Sequence, residues 1–163
     1  MIVYHGSTEI IKNPDVVHSK KYLDFGRGFY ITTFENQAKK WAVRKGMRQK
    51  KTGIVNVYEL SEEWSGFRVL SFEKENEKWL DFVCACRKGQ SLNKEYDIII
   101  GNVADDDVFK TVDMYFRGLW NKEKVLNELR YYKMNNQICI VKQEALDCLL
   151  TFQKAYEVNS NGK

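Results

Sequence analysis

Apolar residues recur along this chain at two different spacings, and their alternation predicts a mixed α+β fold. Residues 2–5 read as a short strand. The stretch 6–23 keeps no period and holds the chain's single proline, Pro14, so it reads as an irregular excursion with room for a helical turn. Residues 29–32 are aromatic and β-branched and follow the glycine pair Gly26 and Gly28, which predicts a tight turn into a second strand. Thr32 and Glu35 have capping-box spacing, and Phe34, Ala38, Trp41 and Ala42 fall on one face, predicting a helix over 34–47. Strands are predicted at 54–60 and 67–72, either as a long hairpin or as a crossing between sheets.

Trp79, Phe82, Val83 and Cys86 recur at i, i+3, i+4 and i+7, and Gly89 stands where a helix C-terminus favours glycine, so 74–88 is predicted helical. Residues 96–100 read as a buried strand ending at Gly101. Val108, Val112, Tyr115 and Leu119 mark a further helix, and 122–133 another. A late strand at 137–141 precedes a terminal helix carrying Ala145, Leu146, Leu149 and Leu150, then a short apolar run at 156–158. No repeat or linker interrupts this order. One domain over 1–158, with a frayed tail over 159–163, accounts for it.

Composition narrows the class. With 44% hydrophobic and 29% charged residues the 163-residue chain is expected to be ordered and globular, and the net charge of +4 only weakly favours polyanions. Cys84, Cys86, Cys139 and Cys148 lack zinc-site spacing and a dense disulfide pattern, so they are expected to be reduced and mostly buried, with no metal. The N-terminus has no signal-peptide pattern and reads as a mature start, and no apolar run approaches the roughly 20 residues of a membrane span. A reducing cytoplasm is the expected compartment, with no membrane contact.

Two short segments carry candidate chemistry. Tyr4-His5-Gly6-Ser7 ends a strand in a histidine followed by glycine, which presents an imidazole beside exposed backbone or merely caps the strand. Asp24-Phe25-Gly26-Arg27-Gly28-Phe29-Tyr30 is a glycine turn into an aromatic strand, either a ligand approach or a turn beside core rings. It lacks the third glycine and the following helix of a dinucleotide-binding fingerprint.

Together the two segments resemble the ADP-ribosyltransferase superfamily of diphtheria-toxin and poly(ADP-ribose) polymerase type, which carries His-Gly-Ser or His-Gly-Thr on its first strand and Gly-x-Gly-x-Tyr on a following one. The resemblance implies a split β-sandwich with flanking helices, and NAD as substrate with no metal. It also implies that His5 bonds a ribose hydroxyl, that the Gly6 backbone bonds the carboxamide, and that Tyr30 stacks on nicotinamide. A tyrosine face attracts a flat cationic ring, and a desolvated amide needs paired donors and acceptors. Ser7, Gly26 and Gly28 would line the cofactor site, and Arg27 would contact pyrophosphate or acceptor.

The family's third motif is a glutamate opening a late strand; the positional match here is Gln137 in Asn136-Gln137-Ile138-Cys139-Ile140. An amide oxygen accepts a hydroxyl hydrogen bond but carries no charge to offset an oxocarbenium-like transition state. Glu95 either supplies the acid instead or is an exposed carboxylate before its strand. The chain from Val3 to about Phe152 also resembles a group of uncharacterised bacterial domains of this superfamily sharing Val-Tyr-His-Gly-Ser, Asp-Phe-Gly-x-Gly-Phe-Tyr, Tyr-Asp-x-x-x-Gly-x-Val-Ala-Asp and the late Gln strand. Neighbouring small partners in toxin–antitoxin-like arrangements are implied by that likeness.

The implied function is mono-ADP-ribosyl transfer from NAD to an intracellular protein or nucleic-acid acceptor, with a non-catalytic NAD or ADP-ribose binding module as the alternative. Around these motifs, Asp105 and Asp106 either cap the next helix or rim the site, and Asp97 is expected to satisfy backbone. Arg44, Lys45, Arg48, Lys50 and Lys51 form either a solvated helix end or a nucleic-acid contact.

Overall fold

The structure, a computed structural model, describes residues 1–104, 106–129 and 135–159, with the backbone alone at residues 106 and 107. In chain order the elements are β1 (Ile2–Ser7), β2 (Phe29–Ile31), α1 (Glu35–Gln49), β3 (Gly53–Leu60), β4 (Val69–Ser71) and α2 (Glu77–Arg87). A 3-10 turn (Leu92–Glu95), β5 (Ile98–Gly101), α3 (Asp106–Phe116), α4 (Lys122–Leu129), β6 (Gln137–Ile140), α5 (Gln143–Leu149) and β7 (Leu150–Val158) follow. The result is a mixed α+β domain built on two sheets.

The first sheet runs β1-β3-β7, all antiparallel; the second runs β2-β6-β5-β4, with only β4 and β5 parallel. Four layers follow from where the apolar side chains go. Ala38 and Ala42 of α1 cover Val55 and Val57 on the outer face of the first sheet. Val3, Tyr58 and Leu60 meet Phe29, Ile31, Ile98, Ile138 and Ile140 between the sheets. Cys139 and Ile99, on the far face of the second sheet, are covered by Trp79, Val83, Val112 and Val125 from α2, α3 and α4.

Several expectations need correction. Of the two readings for 54–60 and 67–72 the crossing between sheets is the one observed, but the second strand is shorter than expected, Val69–Ser71, and runs parallel to β5. The apolar run at 156–158 belongs to a nine-residue strand that starts directly after α5, at Leu150. A register shift where β7 passes Val57 and Tyr58 turns its faces over: Leu150 and Phe152 enter the core between the sheets, whereas Tyr156 and Val158 pack under α1. The capping box at Thr32 and Glu35 does not form. The Thr32 N–H donates to the Tyr4 carbonyl, which leaves Glu35 nothing to close on, and Glu35 accepts from Tyr156 Oη instead. Phe34 is the residue that precedes the helix.

Leu119 lies beyond α3 and is exposed. For the helix expected over 122–133, residues 130–133 lie outside the described residues, as do 160–163 of the tail. Gly89 ends α2 at φ 84°, a conformation costly to any residue with a Cβ. Cys84, Cys86 and Cys139 are buried and free, while Cys148 is exposed and free.

Candidate functional site

Among the described residues the two sheets are joined by a bridge from Tyr4 to Thr32, closed by hydrogen bonds of 2.8 and 3.0 Å. Past it β1 and β2 part, and His5 stands in the fork. Its Nδ1 lies 2.6 Å from the Tyr30 carbonyl oxygen, and its ring stacks on Phe29 with centroids 4.5 Å apart. A carbonyl can only accept, so Nδ1 carries the proton and Nε2 keeps its lone pair in the neutral ring. Burial holds the imidazole neutral by lowering its pKa to about 4, against the opposing Tyr30 hydrogen bond and with help from the positive charge of Lys45. The fork therefore offers an uncharged hydrogen-bond acceptor.

Gly6 faces α1. A Cβ there would stand 2.4 Å from the Ala38 carbonyl and 2.7 Å from the Ala42 nitrogen, so the helix lies directly on the strand and only glycine fits. Its backbone points elsewhere. Tyr4 turns its N–H and C=O toward β2, and the two-residue period of a strand turns those of Gly6 to the same side. Among the described residues neither finds a backbone partner there. Next along, Ser7 is buried and its Oγ accepts from Lys45 Nζ at 3.4 Å, so this lysine of the basic run turns inward; desolvation lowers its pKa.

Tyr30 lies on the other face of β2 from Phe29 and Ile31, toward Cys139 and the helices. The rings of His5 and Tyr30 therefore do not face one another; the imidazole touches the tyrosine's backbone. Tyr30 Oη donates to the Gly26 carbonyl and accepts from the Phe25 N–H at 3.1 Å, closing the 25–30 turn, and burial raises its pKa well above the usual phenol value. Gly26 is needed there at φ 74°, and a Cβ at Gly28 would lie 2.4 Å from Cys139 Sγ. The side chain of Arg27 is exposed, while its carbonyl accepts from Asn93 Nδ2.

Gln137 opens β6 on the same face as Cys139 and Tyr30, and it is buried. Its Nε2 donates to Asp24 Oδ2 at 2.9 Å and to the Asn102 carbonyl at 3.2 Å. Asp24 also accepts from the Ala104 N–H at 2.9 Å and pairs with Arg87, whose Nε lies 3.0 Å away and whose Nη2 makes a second bond to Oδ1. With the Asp24 side chain 9% exposed and that of Arg87 17%, this is a nearly dry ion pair. A glutamate at 137 would set carboxylate against carboxylate, whereas the amide supplies the hydrogens that Asp24 requires. Trp79 Nε1 donates to the same Asn102 carbonyl at 3.2 Å and steadies that loop.

The sequence reading assigned no role to Asp24, Arg87, Asn93 or Asn102. A signal was present: Asp24 sits between Leu23 and Phe25, and Arg87 follows the apolar Cys84-Ala85-Cys86, which left two charges with apolar neighbours to satisfy. Glu95 is exposed at the end of β5 opposite Gly101, the residue that pairs with Gln137, and so stands away from the fork. Asp97 accepts from the Arg68 N–H at 2.7 Å, as expected of a group that satisfies backbone. Asp105 and the side chain of Asp106 lie outside the described residues.

Two concave regions lie off the fork. One of about 490 Å³ is lined by Val43, Gly46, Lys50, Thr52 and Val158; one of about 190 Å³ lies between Tyr22, Arg87, Phe109, Val112, Asp113 and Phe116. Among the described residues no group of three His, Cys, Asp or Glu side chains could hold a metal ion, and no helix is long and apolar enough to cross a membrane.

Residues 1–152 match the model of a protein family described as a protein of unknown function, DUF3990. No curated protein matches the chain.

Proposed function

The chain belongs to the DUF3990 family, and we propose that it is an NAD-dependent mono-ADP-ribosyltransferase acting on an intracellular protein or nucleic acid. The observation that carries this reading is the spatial order β1, β2, β6. It sets His5, Tyr30 and Gln137 on three adjacent strands, with the rings of His5 and Tyr30 on different sides of β2, although they are scattered over the sequence. His5 Nε2, left as an acceptor by the Nδ1–Tyr30 bond, takes a ribose hydroxyl, and the Gly6 N–H and C=O take the carboxamide of nicotinamide. Tyr30 contributes its ring face rather than its hydroxyl, which the turn already uses. Ser7 and Lys45 at the fork's edge, and Arg27 on the exposed turn, supply contacts for the phosphates and the acceptor.

In the reaction the C–N glycosidic bond breaks, nicotinamide leaves with the electron pair, and an acceptor nucleophile attacks the ribose carbon and loses its proton to water. Gln137 orients a ribose hydroxyl without charge. Orientation then supplies most of the acceleration, since among the described residues no free carboxylate stands beside Gln137 to balance the developing cation. A toxin-like effector of the bacterial cytoplasm, held in check by a small antitoxin-like partner, is the setting we infer. The basic run at the end of α1 remains a candidate contact for nucleic acid.

Incubation of the pure protein with NAD labelled on its adenylate half, together with protein and nucleic-acid acceptors, tests the reading. We expect labelled acceptor and released nicotinamide from the wild type, and loss of both in folded Tyr30→Ala and His5→Ala variants. Equal signal from all three proteins would defeat it.

One observation favours a second reading, a module that binds NAD or ADP-ribose without turnover. Both hydrogens of the Gln137 amide are taken by Asp24 and Asn102, and Asp24, the carboxylate that Gln137 meets, is itself paired with Arg87. Calorimetry separates the two: heat of binding without nicotinamide release selects the module, whereas steady release selects the enzyme.

A further inference from the structure

The 190 Å³ groove lies across α2 and α3, away from the fork. Its walls are aromatic and remain open to solvent: Tyr22 is 63% exposed, Phe109 46% and Phe116 40%. Each ring also carries a cation. Lys21 Nζ lies 5.7 Å from the Tyr22 centroid, the Arg87 guanidinium 4.5 Å from that of Phe109, and Lys88 Nζ 5.0 Å from that of Phe116. Buried rings stabilise a core, whereas exposed rings interleaved with cations do not, and a surface patch of this kind marks an interaction site.

We propose that this groove binds single-stranded nucleic acid, holding one unstacked base among Tyr22, Phe109 and Phe116. Charge complementarity selects this occupant. A strand brings a phosphate to each of Lys21 and Lys88 and one planar base for the rings, and base stacking on aromatic side chains tolerates any sequence. A peptide's apolar side chain would have to desolvate Lys21 and Lys88 and give them no anion in return, the charge of Arg87 being met already by Asp24. The groove has room for a single ring and not for a helix. Asp113 on its wall, paired with Arg117 at 3.0 Å, offers a carboxylate oxygen to a base amino group. This binding needs no NAD and stands or falls apart from the transferase reading.

Fluorescence anisotropy of labelled single-stranded RNA and DNA oligonucleotides, without NAD, tests the proposal. Wild type is expected to bind at low salt and to release as salt rises. Phe109→Ala and Phe116→Ala should each weaken binding about tenfold with an unchanged thermal midpoint. Lys88→Glu should lessen the salt dependence, and it keeps the test alive should Phe109→Ala disturb the Arg87 contact. The triple change Arg48→Glu, Lys50→Glu, Lys51→Glu at and beyond the end of α1 should leave the Phe116 effect intact. Three outcomes overturn the proposal: no single-strand binding at low salt, binding that ignores both phenylalanine changes but vanishes in the α1 triple variant, or a wild-type dimer in sedimentation that Phe116→Ala converts to monomer.

Discussion

On the β1 side of the fork, His5 lies against Phe29 and donates to one backbone carbonyl, and the strand beneath it is fixed by a helix resting on Gly6. On the β6 side, Gln137 stands in a charged web in which Asp24 reaches Arg87 63 residues away, and Gln137 113 residues away. Steric fit positions the first residue, and paired charge positions the second. A steric fit fails when an atom is added. A charge web fails when a proton or an isosteric oxygen is exchanged, with almost no change in volume.

Three measurements would break or sharpen this contrast. The largest effect is expected from Gly6→Ala, because the new methyl meets helix backbone that cannot swing aside. We expect a loss of about 1–3 kcal/mol in urea unfolding, at every pH. A loss below about 0.5 kcal/mol would mean that α1 moves off the strand freely.

Gln137→Glu comes next, at about 2 kcal/mol near neutral pH, since a carboxylate would then face Asp24 where the amide now donates to it. The neighbouring charge should raise the new acid's pKa in the folded state. Its cost should therefore shrink as pH falls. A variant as stable as wild type at neutral pH would show that the web does not depend on the amide.

The smallest effect concerns His5, whose pKa is shifted down where that of a glutamate at 137 would be shifted up. Its folded pKa, about 4, lies below the ordinary imidazole value of 6.5, so the unfolded chain binds the proton more readily between those limits. The stabilisation is complete above the unfolded value and is lost as pH falls toward 4. Because the ring keeps part of its surface in water, we expect on the order of 1–2 kcal/mol. Urea midpoints of wild type and His5→Gln, compared at neutral and acid pH, should converge on acidification; parallel curves would remove the buried neutral imidazole.

Local periodicity sufficed for most elements. The apolar spacing of α2 and its Gly89 stop, the turn glycines before β2 and the late strand at Gln137 are all written in a few neighbouring residues. β7 was harder, because its register shift sends Leu150 and Phe152 to one side and Tyr156 and Val158 to the other, so no single apolar face runs its length. Thr32 shows the same limit at one residue: its spacing to Glu35 fits a cap, but its N–H is claimed by Tyr4, 28 residues back in the chain.

By itself the sequence determined the kinds of element, most of their extents, and the three segments that carry His5, Tyr30 and Gln137. Only the tertiary structure decided that α1 presses on Gly6, that the two rings lie on different faces of β2, and that Asp24, Arg87 and Gln137 form one web. The reason is physical: helix and strand periods repeat within a few residues, whereas a close approach or a buried ion pair exists only where distant segments exclude water together.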